Sequence, residues 1–193
     1  MKKTKIFFCQ ILVIASLIAC KGSAQTGFVM ENTITSPTTE VYLTSQTAIT
    51  GSYVSAEETK KFLNHHNMAR NELGIDVNLV WNNDIAGVAQ KYTEKLASEN
   101  CVFNHSGNSK YGENLFWGSG GRYTALDGSK AWYSEKPDYT KAPINESNYR
   151  HYTQMIWKKT TDVGVGVAIC ENGSYVFVAN YFPVGNYMRE FPY

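Results

Sequence analysis

His151-Tyr152-Thr153-Gln154-Met155-Ile156-Trp157 is the stretch that decides the fold of this chain. It sets an ionisable imidazole on a short helix whose other residues read as core. The block does not stand alone. Tyr111-Gly112-Glu113-Asn114-Leu115 precedes it, and Asn180-Tyr181-Phe182-Pro183-Val184-Gly185-Asn186-Tyr187 follows it.

Working outward from that helix, helical patterns come first and strand patterns last. Ser55-Ala56-Glu57-Glu58 has the form of a capping box, in which a Ser side chain and a Glu three residues on satisfy each other's orphan backbone donors. Phe62, His66, Ala69 and Leu73 then recur on one helical face, and Gly74 supplies a stop. A second helix is expected from Asn82 or Asn83 to before Asn100, with Ile85, Val88, Ala89, Tyr92 and Leu96 as its apolar stripe. Residues 101–121 read as loop, with a short strand or two around Asn114 to Trp117. A third helix is expected over 125–134, with Leu126 and Trp132 buried, then a polar loop over 136–148 and a short helix over 149–157. After it the period changes from helical to alternating. Val163 to Ile169 and Tyr175 to Tyr181 are rich in β-branched and aromatic residues, and Glu171-Asn172-Gly173-Ser174 between them carries the Asn-Gly hairpin signal. Helices on either side of an antiparallel sheet predict an α+β fold, a three-layer α-β-α sandwich.

The 193 residues suit one domain once a leader is removed. A formal net charge of +1 gives no electrostatic footprint for nucleic acid, so no nucleic-acid partner is expected. Lys2, Lys3 and Lys5 precede an apolar run from Ile6 to Ile18, too short and too poorly flanked for a membrane span; this is an export signal. Its end can be read in two ways. Leu17-Ile18-Ala19-Cys20 has the form of a bacterial lipoprotein box, making Cys20 a lipidation site and residues 1–20 the leader. Gly22-Ser23-Ala24 offers an ordinary cut, making it 1–24. Either ending implies an extracellular or cell-envelope location, and the lipid on Cys20 would be the chain's one hold on a membrane. Residues 21–54, rich in Ser and Thr, read as a flexible tether, and 55–193 as the domain. A strand around Glu40 to Leu43 is compatible with this but unneeded.

The three ordered blocks, with His66-Asn67-Met68-Ala69-Arg70 before them, resemble the CAP superfamily (the SCP domain), and most closely the plant pathogenesis-related-1 proteins. The leader points to a bacterial member. The resemblance spans residues 60–193 and implies the same α-β-α sandwich. It also implies that Cys101 and Cys170 are partners. These are the two cysteines of the mature domain, and in an exported protein an even count favours a bridge. Closing a loop of roughly 70 residues is rated at about 4 kcal/mol in the chain-entropy model. The tail from Pro183 to Tyr193 matches the plant proteins' tail and is read as an extended segment anchored by Tyr187, Phe191 and Tyr193.

The resemblance further assigns His105, Glu113, Glu135 and His151 to one cleft. Two imidazoles and two carboxylates there are chemically versatile, since each can shift the other's protonation, and neutral imidazole and ionised carboxylate are ligands for zinc or copper. Three readings stay open: a structural polar network, a reversible metal or ligand site on His105 and His151, and acid–base catalysis. At the level of the whole protein these become a binding module for a lipid, sterol, fatty acid or divalent metal, or a hydrolase or peptidase. The sequence has no Gly-x-Ser-x-Gly elbow, no His-Glu-x-x-His and no phosphate loop; Gly118-Ser119-Gly120-Gly121 reads as a turn. His66, on the core face of its helix, is expected to be a structural histidine.

Overall fold

The computed structural model describes residues 47–145 and 149–193. The leader, Cys20, the segment 40–43 and most of the expected tether lie outside them. Helix α1 (Ala56–Asn71) starts on the capping box: Ser55 Oγ accepts from the Glu58 amide at 3.2 Å, and the Glu58 carboxylate accepts from the Ser55 amide at 3.2 Å. Phe62, His66 and Ala69 form its buried face. Helix α2 (Asn83–Ser98) is capped by Asn82, whose side-chain oxygen accepts from the Asp84 and Ile85 amides. Helix α3 (Ala125–Tyr133) buries Trp132, while Leu126 is only half-buried. A 3-10 turn (Lys136–Asp138) opens the segment expected as loop, and helix α4 is Arg150–Met155.

Four strands form one sheet in the order β1-β3-β4-β2, with β1 Val80–Trp81, β2 Gly112–Gly118, β3 Asp162–Ile169 and β4 Tyr175–Phe182. The β3–β4 hairpin and the β4–β2 pair are antiparallel, as expected. The edge strand β1 is parallel to β3 and pairs only Val80 with Asp162 and Trp81 with Val163. Such a short strand has no local signature; two backbone bonds, Val80 N–H to Thr161 and Asn82 N–H to Val163, make it. β2 is longer than the fragment expected around 114–117, because its whole length pairs with β4, from Gly112 opposite Tyr181 to Gly118 opposite Tyr175.

The alternation of β3 explains the layers. Val163 and Val165 are fully buried in the larger core with Phe62, Trp132, Met155, Phe177 and Tyr181, on the face covered by α1, α3 and α4. Gly164 and Gly166 face α2. A Cβ on Gly164 would collide with the Ala86 backbone, and one on Gly166 with that of Gln90. Glycine here is the floor that lets α2 lie directly on the sheet. The smaller core beneath α2 holds Ala89, Leu96, Leu115, Val176 and Val178. It closes on the Cys101–Cys170 disulfide, with Cα atoms 5.8 Å apart.

Residues 47–54, at the end of the expected tether, are packed on this domain. Ser52 and Val54 are fully buried. The Trp81 indole donates to the Thr50 carbonyl at 2.8 Å, and the Gln90 side chain accepts from the Tyr53 amide at 3.2 Å. All these partners are distant in sequence, so no local period marks the segment.

The C-terminal tail is held by its backbone and by two of the expected aromatic anchors, Tyr187 against Trp157 and Tyr193 against Tyr139, with ring centres 6.1 and 6.3 Å apart. Ile144 N–H donates to Glu190, Arg189 N–H to Ile144 and Lys158 N–H to Pro192. Tyr187, Phe191 and Tyr193 remain 47%, 56% and 39% exposed.

A cleft with two clasped histidines

The short helix α4 is too short to hold itself. Arg70 holds its C-terminal end. That guanidinium is fully buried, has no carboxylate partner among the described residues, and donates to five carbonyls: Val77 at 2.7 Å, Met155 at 3.2 Å, Trp157 at 2.9 Å, Lys158 at 3.4 Å and Thr160 at 3.1 Å. Burial pulls its pKa down to about 10, still fully charged at neutral pH. From the sheet side, buried Asn114 on β2 donates to the His151 carbonyl at 3.1 Å. The absent side chain of Gly112 leaves room for the Gln154 amide. These contacts fix where His151 stands.

His151 and Glu135 form one pair. The imidazole Nδ1 lies 2.6 Å from Glu135 Oε1, and the Tyr152 amide donates to Glu135 Oε2 at 3.0 Å. His105 and Glu113 form the other. His105 Nδ1 lies 2.9 Å from Glu113 Oε1, and the Ser106 amide donates to the same oxygen at 2.8 Å. The two pairs share a design: a glutamate clasps an imidazole Nδ1 and the backbone N–H of the next residue. An ionised carboxylate can only accept, so Nδ1 carries a proton, and in the neutral imidazole Nε2 keeps its lone pair.

The pairs differ at the second oxygen. Glu135 uses both of its oxygens, whereas Glu113 Oε2 is buried with no hydrogen-bond partner among the described residues. Directly across the sheet, Asn180 pairs with Glu113, and its buried Oδ1 is also unpartnered. Burial pushes the Glu113 carboxyl up, but the hydrogen bonds from His105 and Ser106 outweigh it and hold the carboxyl below its usual range.

His105, Glu113 and His151 line a cleft of about 520 Å³, together with Tyr111, Arg150 and the tail residue Asn186. Glu135 is on the other side of His151, in a second groove of about 530 Å³ with Phe103, Leu115, Trp117 and Trp132. Each expected tetrad residue therefore lies at one of two adjoining hollows that share His151. Among the described residues, no three His, Cys, Asp or Glu side chains are grouped to hold a metal ion. A cation here would rest on the two imidazoles, and water or ligand would complete its shell.

His66 lies in the core. Its ring is fully buried, with Nδ1 3.2 Å from the Phe62 carbonyl and 2.9 Å from Ser129 Oγ, and Nε2 2.9 Å from the Tyr181 hydroxyl. Burial depresses its pKa to about 3, so it is neutral at neutral pH. Arg70, Asn114 and Asn180 escaped the sequence reading of the site. The first lay inside a quoted block, and the other two sat beside Glu113 and Tyr181 in blocks already singled out.

Residues 63–181 match the CAP family, described as the cysteine-rich secretory protein family. Pathogenesis-related protein 1C of Nicotiana tabacum is 37% identical over 139 residues, 68% of this chain and 79% of that protein. Pathogenesis-related protein 1 of Arabidopsis thaliana is 38% identical over 139 residues, 71% of this chain and 83% of that protein. Among solved structures, BmVAL-1 superposes with a TM-score of 0.65 at 22% identity, over 74% of this chain and 84% of that one. NaASP2, solved with Zn2+, superposes with a TM-score of 0.63 at 25% identity, over 72% and 86%. The ordered motifs, the α-β-α layers and these matches together make the chain a member of the CAP (cysteine-rich secretory protein) family, with plant pathogenesis-related-1 proteins among its relatives.

Proposed function

We propose that the chain is an extracellular binding module whose cleft takes a divalent cation, zinc or copper, on His105 and His151. The observation that carries this reading is the paired clasp. Each imidazole has Nδ1 held by its own glutamate, the arrangement that orients histidine ligands and raises their basicity at metal sites. The unpartnered Glu113 Oε2 beside the cleft fits a cationic guest or its water. The zinc in the NaASP2 structure supports the choice of metal. A two-imidazole site binds reversibly, as suits a receptor for a ligand that completes the shell.

The test is thermal unfolding with and without zinc. A cation that binds only the folded chain raises the melting temperature by mass action. His105→Ala and His151→Ala should each remove most of that rise. An equal rise in the double variant would place the metal elsewhere. Because ligand imidazoles must be neutral, the rise should weaken on acidification.

The groove on the far side of His151 suits an apolar chain such as a fatty acid or sterol, its walls being Phe103, Leu115, Trp117 and Trp132. The leader sequence supports export, with a lipid anchor on Cys20. Made in a bacterial host, the protein should enter the detergent phase and Cys20→Ala should leave it. A mature N-terminus at Gln25 without acyl mass would make it a freely secreted protein.

A further inference from the structure

Arg150 lines the same cleft, next in sequence to His151. Its backbone is committed: the Arg150 carbonyl accepts from Asn186 Nδ2 at 2.7 Å and from Thr153 Oγ1 at 3.3 Å. Its side chain is exposed, and among the described residues it has no ion pair or hydrogen bond. Arg70 is the contrast, with every donor direction already taken by carbonyls. Among the described residues Glu113 is the one carboxylate lining the cleft, and it is clasped by His105 and Ser106. The rest of the lining is rich in side-chain amides, among them Asn108, Asn114 and Gln154.

We propose that the cleft takes a ligand bearing a free carboxylate, and that Arg150 is the residue that selects it. A guanidinium is a planar fork that matches a carboxylate with two parallel N–H···O bonds. The ionised Glu113 on the same lining opposes a dianion such as a phosphate monoester more than a singly charged carboxylate. The exposed side-chain amide of Asn108 suits a peptide group or hydroxyl of the rest of the ligand. The carboxylate is that of a peptide C-terminus or of a free organic acid. This deepens the binding-module reading and rests on it, but it does not require the cation.

The experiment is calorimetric titration of the exported, disulfide-bonded protein with N-acetyl-trialanine acid, its C-terminal amide, and the monocarboxylate butyrate. At least one acid should bind ten times or more tighter than the amide. Arg150→Gln should abolish that preference, and Arg150→Lys, which keeps the charge without the fork, should keep part of it. Binding of the peptide acid alone assigns the peptide C-terminus, and binding of butyrate alone assigns a free acid. Equal binding of acid and amide, no binding of any of the three, or an acid preference that survives in Arg150→Gln overturns the proposal. Zinc titration of the same samples separates the two ideas. Zinc bound without an acid preference overturns this inference alone, whereas loss of both overturns the binding module. Arg150 is exposed and anchors Asn186 through its backbone, so the variants should keep the wild-type melting temperature.

Discussion

Trp132 stands between two histidines that share a residue type and little else. Its ring centre is 6.2 Å from that of His66 and 6.4 Å from that of His151. On the core side, both nitrogens of His66 are taken by a carbonyl and hydroxyls, and burial keeps the ring neutral. On the cleft side, His151 has one nitrogen fixed by Glu135 and the other left for a guest. One polar chain joins the two regions. Asn114 donates both to the Tyr181 hydroxyl, which meets His66, and to the His151 carbonyl. The core network positions; the cleft pair is positioned. Removing parts of the first should cost stability, and removing parts of the second should cost binding.

The largest expected effect is on the core side. Arg70→Leu leaves five carbonyls without their donor and α4 without its clamp. Unsatisfied buried acceptors cost about 1–3 kcal/mol each before relaxation. Denaturant unfolding should therefore show a loss of about 4 kcal/mol. A loss under about 1 kcal/mol would mean that α4 is held by packing alone.

His66 gives the next effect, read as pH dependence. Its folded pKa, about 3, lies below its unfolded value. The unfolded chain therefore binds a proton that the folded chain refuses, and stability falls as pH drops below about 6.5. The slope for one such group is about 1.4 kcal/mol per pH unit, or roughly 3 kcal/mol between pH 6 and 4. The depressed Glu113 carboxyl acts in the same direction, its contribution being lost as pH falls through the carboxylate range. His66→Phe isolates the histidine and should flatten the curve; an unchanged slope would assign the dependence to carboxylates.

The smallest stability effect belongs to the cleft. The His105 and His151 side chains are 64% and 35% exposed, so water screens the imidazole half of each pair, while Glu113 and Glu135 are 8% and 19% exposed. His105→Ala and His151→Ala should each change unfolding free energy by less than about 1 kcal/mol. A loss several times larger would make the pairs part of the frame and weaken the contrast with His66.

The same contrast explains what could be read from the chain. α1 and α2 were legible because capping boxes, Asn caps and a repeating apolar face are local. The β3–β4 hairpin was legible through Asn172-Gly173. β1, the full length of β2 and the packing of 47–54 were not, because each depends on partners far along the chain, such as Thr161, Tyr181 and Gln90. The four cleft residues were legible by resemblance, but not their grouping into two pairs on two hollows. That grouping follows from the turn of the chain at His105-Ser106 and His151-Tyr152, where ring and amide face one glutamate.

Imidazole nitrogen NMR during a zinc titration tests the division of labour most directly. Before zinc, His105 and His151 should show the proton on Nδ1 and a bare Nε2. On adding zinc, the Nε2 signals of both should shift or broaden together, while those of His66 stay in place. Protonated Nε2 atoms on His105 and His151, or zinc shifts confined to other residues, would contradict the assignment of the clasped pairs as a cation site.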